Sequence, residues 1–156
     1  MLPTIESQSD GVVMVDQRKL PPREVYVRCR TAPEVARAIK TMVIRGAPAI
    51  GVAAAMGIAL GMQRSKAKGT RAYTVDFNRI CDLMAATRPT AVNLFWAIER
   101  MKRALAEGVQ AGESVDELTA RLVAEAQRIH DEDVANCRAL GAHGAVVVPD
   151  GARILT

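Results

Sequence analysis

Two short segments of the sequence join an arginine to the start of a helix, an arrangement suited to a phosphorylated ligand. The first covers residues 44–51 (IRGAPAIG), where Gly46 permits an unusual turn and Pro48 suits the first residue of a helix. Unpaired amides at a helix start lie at the positive end of the helix dipole and bind phosphate. Arg45 adds a cation for bidentate contact with the phosphate. The alternative is a plain corner between two helices with an exposed arginine.

The second segment covers residues 87–93 (TRPTAVN). Pro89 disfavours a helical conformation of Arg88, so one helix ends there and the guanidinium is directed away from both neighbouring helices. Thr90 and Asn93 are predicted in the first turn of the next helix, where they can cap it or contact a ligand. A capped helix start with a solvated arginine is the alternative. Two such corners in one small chain favour an anionic, phosphorylated ligand.

Other catalytic patterns are weak. His130 and His143, the only histidines, form no HExxH motif, so we predict no metal site and interpret both as helix-surface or capping residues. The sequence contains no GxSxG motif, Walker loop or dinucleotide fingerprint. The cysteines contain no CxxC pair, which argues against a disulfide scaffold and favours a reducing, cytoplasmic location. They are interpreted as small buried apolar residues: Cys29, Cys81 and Cys137.

Composition excludes several classes of protein. Of the 156 residues, 49% are hydrophobic and 3% aromatic, and the formal net charge is +4, so the chain is not disordered. Because the cations are scattered and not interleaved with aromatic residues, we expect no nucleic-acid partner. Residues 47–62 are uncharged but fewer than the roughly 18–20 needed to span a membrane, which favours a buried helix. Its glycines predict close helix packing: Gly51, Gly57 and Gly61.

Turn and capping signals predict the elements that position the two corners. Three short strands form an antiparallel meander over Thr4–Ser7, Val12–Asp16 and Glu24–Cys29. Five helices follow. The first begins at a Thr31–Glu34 capping box and ends near Arg45-Gly46, and the second covers about 48–64. The third runs from Thr74 or Asp76 to Arg88, the fourth from Pro89 to Glu107, and the fifth begins at a Ser114–Glu117 capping box.

The later boundaries rest on glycine and proline. Gly108 is predicted to stop the fourth helix, and the fifth either runs on or kinks before Gly141. Residues 149–151 are predicted to form a turn, followed by a strand at Ala152–Leu155. The expected fold class is α+β, a small N-terminal antiparallel β-meander followed by a helical bundle, ending in the first strand of a Rossmann-like domain.

Several motifs together resemble the methylthioribose-1-phosphate isomerase family of aldose–ketose isomerases. They are RGAPAIG at 45–51, TRPTAVNL at 87–94 with WAIERM after it, DGARILT at 150–156, VDQRKLP at 15–21 and EDVANCRALGAHGA at 132–145. The resemblance implies that four residues bind a phosphorylated sugar: Arg45, Gly46, Ala47 and Arg88. It implies a reaction of methionine salvage that needs no metal or organic cofactor.

The resemblance also implies a division into domains. Residues 1–148 correspond to the family's N-terminal sheet-plus-helices domain, and residues 149–156 to the turn and first strand of a C-terminal Rossmann-like domain. The family's catalytic Cys and Asp then lie beyond residue 156, so we expect this chain to hold no catalytic residue and to be inactive alone. The expected partners are the C-terminal half of the same protein or a like subunit, with a homodimer for the full enzyme and no membrane.

Two other functions are compatible with this resemblance. A ribose-1,5-bisphosphate isomerase shares the fold and the phosphate sites. Regulatory subunits of the exchange factor for translation initiation factor two share the fold without catalysis. The intact RGAPAIG and TRPTAVNL motifs favour the isomerases over the regulatory subunits.

Overall fold

A computed structural model describes residues 3–155, which form three strands followed by five helices. The strands are β1 (Ile5–Gln8), β2 (Gly11–Val15) and β3 (Tyr26–Cys29). β1 pairs antiparallel with β2, and β2 pairs antiparallel with β3, so the sheet order is β1-β2-β3. The predicted antiparallel meander is confirmed.

The helices are α1 (Ala32–Lys40), α2 (Ala47–Gln63), α3 (Thr70–Ala85), α4 (Val92–Gln110) and α5 (Val115–Val147). A small sheet followed by a helical bundle confirms the predicted α+β class. Arg100 of α4 is paired with Glu125 and Glu132 of α5, which ties the two longest helices together.

The uncharged segment forms α2, which is the centre of the core. It packs against the four other helices and against β1 and β2, and residues 50–60 are all buried. A Cβ atom on Gly57 would lie 2.6 Å from Met84 Cε and 2.8 Å from Val35 Cγ1, so glycine is needed for this approach. The predictions of a buried helix and of packing through small residues are confirmed. Within residues 3–155, no helix combines the length and apolarity required to cross a membrane.

The end of α1 differs from the prediction. The helix ends at Lys40 and not near residues 45–46, because Met42 adopts a left-handed conformation with φ 62°. The amide of Val43 then donates to the carbonyl of Ala38 at 2.9 Å, which closes the helix in a Schellman arrangement. Since glycine normally occupies this position, the sequence carried no signal for the stop. The early end frees residues 41–46 as a connector to α2.

The limits of α4 also differ from the prediction. It begins at Val92 and not at Pro89, which lies in a turn, and it continues through Gly108 to Gln110. The glycine that ends it is Gly112, with φ 76°. Gly108 has a packing role instead, because a Cβ atom there would lie 2.6 Å from Leu118 Cδ2.

The helix starts are correct in part. Ser114 and Glu117 form the predicted capping box, with Ser114 N donating to Glu117 Oε2 at 2.8 Å and Glu117 N donating to Ser114 Oγ at 3.3 Å. Thr31 caps α1, but Glu34 accepts from the amide of Arg30 and not from the cap residue. α3 begins at Thr70, earlier than Thr74 or Asp76.

The end of the described chain has little regular structure. α5 runs without interruption to Val147, and a turn with Gly151 at φ 72° follows. The predicted strand at Ala152–Leu155 does not form, because a strand needs a hydrogen-bonding partner and residues 3–155 provide none there. Thr156, the last residue of the DGARILT motif, lies outside the described residues.

Candidate functional site

The start of α2 leaves backbone amides available to an anion. Gly46 is the N-cap residue, with φ 97° and ψ 130°, and no side chain caps the helix. Ile50 N donates to the carbonyl of Gly46 at 3.0 Å, so the amides of Ala47 and Ala49 precede the first intrahelical bond. Pro48 between them has no N–H group. The corner is exposed and lies at the positive end of the α2 dipole.

Gln17 holds this corner in place. Its side-chain Nε2 donates to the carbonyl of Arg45 at 3.1 Å, and Arg45 Nη2 donates to the carbonyl of Gln17 at 3.2 Å. The amide of Gln17 also donates to the carbonyl of Val43 at 2.9 Å. The loop after β2 therefore fixes both the backbone and the guanidinium of the connector. Sequence reasoning missed this residue, and its only signal was the family-like VDQRKLP segment.

An ion pair next to Gln17 orders the same loop. Asp16 is buried, and its carboxylate accepts from Arg18 Nε and Nη2, both at 2.8 Å, and from the Arg18 amide at 3.1 Å. These hydrogen bonds from Arg18 lower the pKa of Asp16. The loop is thus anchored on both sides of Gln17.

A cavity of about 520 Å³ opens between this corner and α5. Volumes of this order suit a small-molecule ligand. Its polar wall is formed by Gln17, Arg45, Gly46, His130, Asp133, Cys137 and Arg138. Its apolar wall is formed by Pro3, Ile5, Pro48, Ala49 and Val134. The cavity therefore offers a cationic corner and an apolar surface to one ligand.

The starts of α2 and α4 lie next to each other. A Cβ atom on Gly51 would lie 2.8 Å from the carbonyl oxygen of Asn93, in the first turn of α4. A second cavity of about 270 Å³ is shared by Pro48 of α2, Asn93 and Trp96 of α4, and Asp133 of α5. The two predicted corners are therefore neighbours, as a shared ligand requires.

Arg88 is placed differently from Arg45. It is half-buried in the turn before α4, and it lines neither of the two cavities just described. Its guanidinium makes no hydrogen bond or ion pair with any residue of the range 3–155. Thr90 lies in an exposed turn and not in the first turn of α4, whereas Asn93 does lie there. The binding roles of Arg45, Gly46, Ala47 and Arg88 stay predictions.

His130 lies in the cavity wall, a position that sequence reasoning missed. Its Nδ1 lies 2.9 Å from Asp131 Oδ1, and Gln127 Nε2 donates to the same oxygen at 2.8 Å. The hydrogen bond from His130 lowers the pKa of Asp131. A histidine within a helical sequence gives no signal that distinguishes a cavity wall from open surface. His143 is exposed, in agreement with the helix-surface interpretation.

The cysteines divide into two groups. Cys29 and Cys81 are buried as predicted, and burial raises the pKa of their thiols to about 11 and about 12 respectively. Neither thiol can form a nucleophilic thiolate near neutral pH. Cys137 is exposed at the cavity, so its assignment as a buried residue was wrong. Within residues 3–155, no three His, Cys, Asp or Glu side chains are grouped as a metal ion requires.

Comparisons with known proteins show the family to which the chain belongs. Residues 43–156 match the family model described as the initiation factor 2 subunit family. A methylthioribose-1-phosphate isomerase from Geobacter metallireducens is 53% identical over 153 residues, covering 98% of this chain and 44% of that protein. The protein of the same name from Koribacter versatilis is 52% identical over all 156 residues, again 44% of its length. The chain thus spans less than half the length of these curated relatives.

Solved structures extend the similarity to a second kind of protein. The 5-methylthioribose 1-phosphate isomerase of Pyrococcus horikoshii superposes with a TM-score of 0.91 at 42% identity, covering 96% of this chain and 42% of that one. The delta subunit of translation initiation factor eIF-2B from A. fulgidus superposes with a TM-score of 0.86 at 38% identity, covering 97% of this chain and 43% of that one.

Proposed function

Because the chain belongs to the initiation factor 2 subunit family, we propose that it forms the substrate-binding part of a methylthioribose-1-phosphate isomerase. The reaction converts S-methyl-5-thioribose 1-phosphate into S-methyl-5-thioribulose 1-phosphate, an aldose–ketose isomerisation in methionine salvage. Curated relatives of that name, 53% and 52% identical to this chain, support the proposal.

The observation that carries the proposal is the uncapped start of α2 facing a cavity beside Arg45. In our proposal the phosphate accepts hydrogen bonds from the Ala47 and Ala49 amides, with Gly46 supplying the turn that exposes them. Arg45, held by Gln17, neutralises the phosphate charge. The apolar wall receives the methylthio end of the sugar. Arg88 is proposed to contact the substrate from the neighbouring corner.

The chemical step is assigned to residues outside this set. A phosphate ester on the anomeric carbon blocks spontaneous ring opening, so the enzyme must open the ring by proton transfer. Cys29 and Cys81 are too basic and too buried for this task. We propose that a Cys and an Asp from a further, Rossmann-like domain perform it without a metal or an organic cofactor. This chain alone is then expected to bind substrate without turnover.

The proposed organisation places binding in residues 1–148, with residues 149–156 leading into the Rossmann-like domain. Exposed apolar side chains support a packing partner in this region: Leu140, Val146, Val147, Ile154 and Leu155. That partner is proposed to be the C-terminal half of the enzyme or a like subunit, in a cytoplasmic homodimer.

Titration calorimetry of the 156-residue chain tests the binding role. S-methyl-5-thioribose 1-phosphate should bind, and S-methyl-5-thioribose, which lacks the phosphate, should bind at least about tenfold more weakly. Equal affinity for the two compounds would contradict phosphate recognition. In the full-length enzyme, Arg88→Ala should weaken substrate affinity, and an unchanged affinity would remove Arg88 from the site. Ribose 1,5-bisphosphate in the same assay tests the related isomerase.

A second candidate function is a non-catalytic regulatory subunit. The close superposition on the eIF-2B delta subunit favours it, because that similarity covers almost the whole chain. In this alternative the chain has no sugar phosphate to isomerise. Failure of every sugar phosphate to bind, with the chain folded, would favour the regulatory function.

A further inference from the structure

One face of α5 forms part of the lining of the cavity that also contains Arg45. His130, Asp133, Cys137 and Arg138 line it, and their spacing of three, seven and eight residues places them on one side of a helix. Arg45, Gly46 and Ala49, which belong to the proposed phosphate-binding set, line the same cavity. A ligand bound at the Gly46 corner therefore shares this cavity with His130.

The imidazole of His130 is oriented by its neighbours. Its Nδ1 lies 2.9 Å from Asp131 Oδ1 and 3.4 Å from Gln127 Nε2. The shorter contact is with a carboxylate, which only accepts hydrogen bonds, so we assign a proton to Nδ1. Nε2 is then the atom available to a ligand, and it has no hydrogen-bond partner within residues 3–155. The side chain is 18% exposed, so it is largely enclosed yet still reaches the cavity.

We propose that His130 is a substrate-binding residue, whose Nε2–H donates a hydrogen bond to a phosphate oxygen of the ligand held at Arg45 and Gly46. This inference rests on the proposed function, since it assumes a phosphorylated ligand at that corner. With Nδ1–H committed to Asp131, Nε2 donates only in the imidazolium form, so the contact is charge-assisted. The phosphate is thereby bound by α5 as well as by the corner at Arg45 and Gly46.

Charged and titratable groups surround the ring. From α5, Asp131 contacts the ring, and Asp133, Cys137 and Arg138 line the cavity with it; from the connector before α2, Arg45 lines the cavity. The loop after β2, the start of α2, and β1 with the residue before it contribute uncharged residues: Gln17, Pro48, Ala49, Ile5 and Thr4. Binding of phosphate favours the imidazolium, so phosphate should bind more tightly at low pH.

Histidine NMR of the 156-residue chain tests this directly, because the chain has two histidines and His143 is an internal control. His143 is exposed and about 20 Å further along α5. Inorganic phosphate, added at constant ionic strength, should shift the ring signals of His130 and leave those of His143 unchanged. Backbone amide signals of Gly46 and Ala47 report occupancy of the corner in the same sample.

The outcomes separate this inference from the proposed function. Shifts at Gly46 without a change at His130 would overturn the role of His130 and leave the phosphate corner intact. No shift at either residue, up to saturating phosphate, would overturn both. Equal changes at His130 and His143 would indicate a general effect of the anion and would also overturn the inference.

Variants give a second readout. His130→Ala should raise the dissociation constant of phosphate about tenfold near pH 6 and change it less than about twofold near pH 8, because the proposed contact needs the imidazolium, which low pH favours. His143→Gln is the matched control and should bind as the parent does. Equal losses for His130→Ala at both pH values would indicate a structural role instead. The NMR titration of the parent chain decides the question if His130→Ala does not fold.

Discussion

The two arginine corners look equivalent in sequence, yet the structure prepares them to different degrees. Arg45 is bonded to Gln17, its corner faces a cavity of about 520 Å³, and Asp16 and Arg18 order the loop that holds it. Arg88 is half-buried with no such bonds within residues 3–155, and it lines neither described cavity. Arg45 is therefore ordered before a ligand binds, whereas Arg88 loses side-chain conformational entropy when it is ordered on binding.

For the proposed site, this difference predicts that the two corners act at different stages of phosphate binding. A preorganised guanidinium contributes most of its electrostatic attraction to the first encounter with an anion. An unrestrained one contributes only after it has been ordered, by ligand or by another part of the protein. The two arginine motifs do not show which arginine is ordered in advance. The ordering of Arg45 depends on Gln17, which is distant in sequence.

The largest expected effect compares the two arginines in the 156-residue chain. Arg45→Ala should weaken phosphate binding by about 30-fold, equal to about 2 kcal/mol, because a charge-assisted contact is lost. Arg88→Ala should weaken it less than about threefold in the same titration. Arg37→Ala on the exposed face of α1 is the control for net charge. Equal losses at Arg45 and Arg88 would contradict the asymmetry.

The next effect concerns the backbone of the Arg45 corner. Gly46→Ala should lower the free energy of unfolding by about 1–2 kcal/mol, because φ 97° is strained for any residue with a Cβ atom. The cost is conformational, since a Cβ atom there would meet only Ala49 Cβ at 3.9 Å. Gly69→Ala is matched to it, as Gly69 also precedes a helix but has φ −161°. Urea denaturation that gave both variants the same midpoint would refute the strain.

Gln17→Ala should lower the free energy of unfolding by about 1 kcal/mol or less. It removes the side-chain hydrogen bond to the Arg45 carbonyl and leaves the two hydrogen bonds made by the backbone of residue 17. Its effect on phosphate affinity should be larger than its effect on stability. Parallel urea and binding titrations check this ratio. Gln63→Ala, at an exposed position at the end of α2, is the control.

The smallest effect is expected at the other corner. Thr90→Ala should change the free energy of unfolding by less than about 0.5 kcal/mol, because Thr90 is exposed in a turn and does not cap α4. A loss near 1 kcal/mol, typical of a removed N-cap, would mean that Thr90 caps α4 in solution. Thermal and urea denaturation of this single variant are sufficient.

Local chemistry explains which parts of the fold were predictable. The strands, the uncharged core helix and the Ser114–Glu117 capping box all depend on residues close in sequence, and each was predicted within a few residues. The stop of α1 was not, because Met42 occupies a left-handed position that usually belongs to glycine. Gly108 was wrongly predicted to end α4. A glycine is present there because a side chain would collide with Leu118, and the helix continues past it.

Only the part of the candidate site at the start of α2 could be predicted from the sequence. Arg45, Gly46 and Ala47 could be proposed because a proline and a glycine mark the start of α2. Gln17 and His130 come to that corner from the loop after β2 and from α5, through contacts between residues far apart in the chain. Hydrophobic periodicity reports which helix face is buried, but it does not report which cavity a polar residue on the boundary will line.

The length of α5 has a consequence for its local stability. Its buried residues, Leu118, Leu122, Glu125, Ala126 and Ile129, all lie in its first half, and the turns beyond residue 135 are almost entirely exposed. Those turns depend on intrinsic helix propensity, which Gly141 and Gly144 weaken. Amide hydrogen exchange should therefore quicken steadily from Ile129 toward Val147. Cys137 and Arg138 line the cavity and lie in the part of α5 where protection against exchange should begin to fall. A ligand that fills the cavity should therefore also slow amide exchange in the turns of α5 that follow.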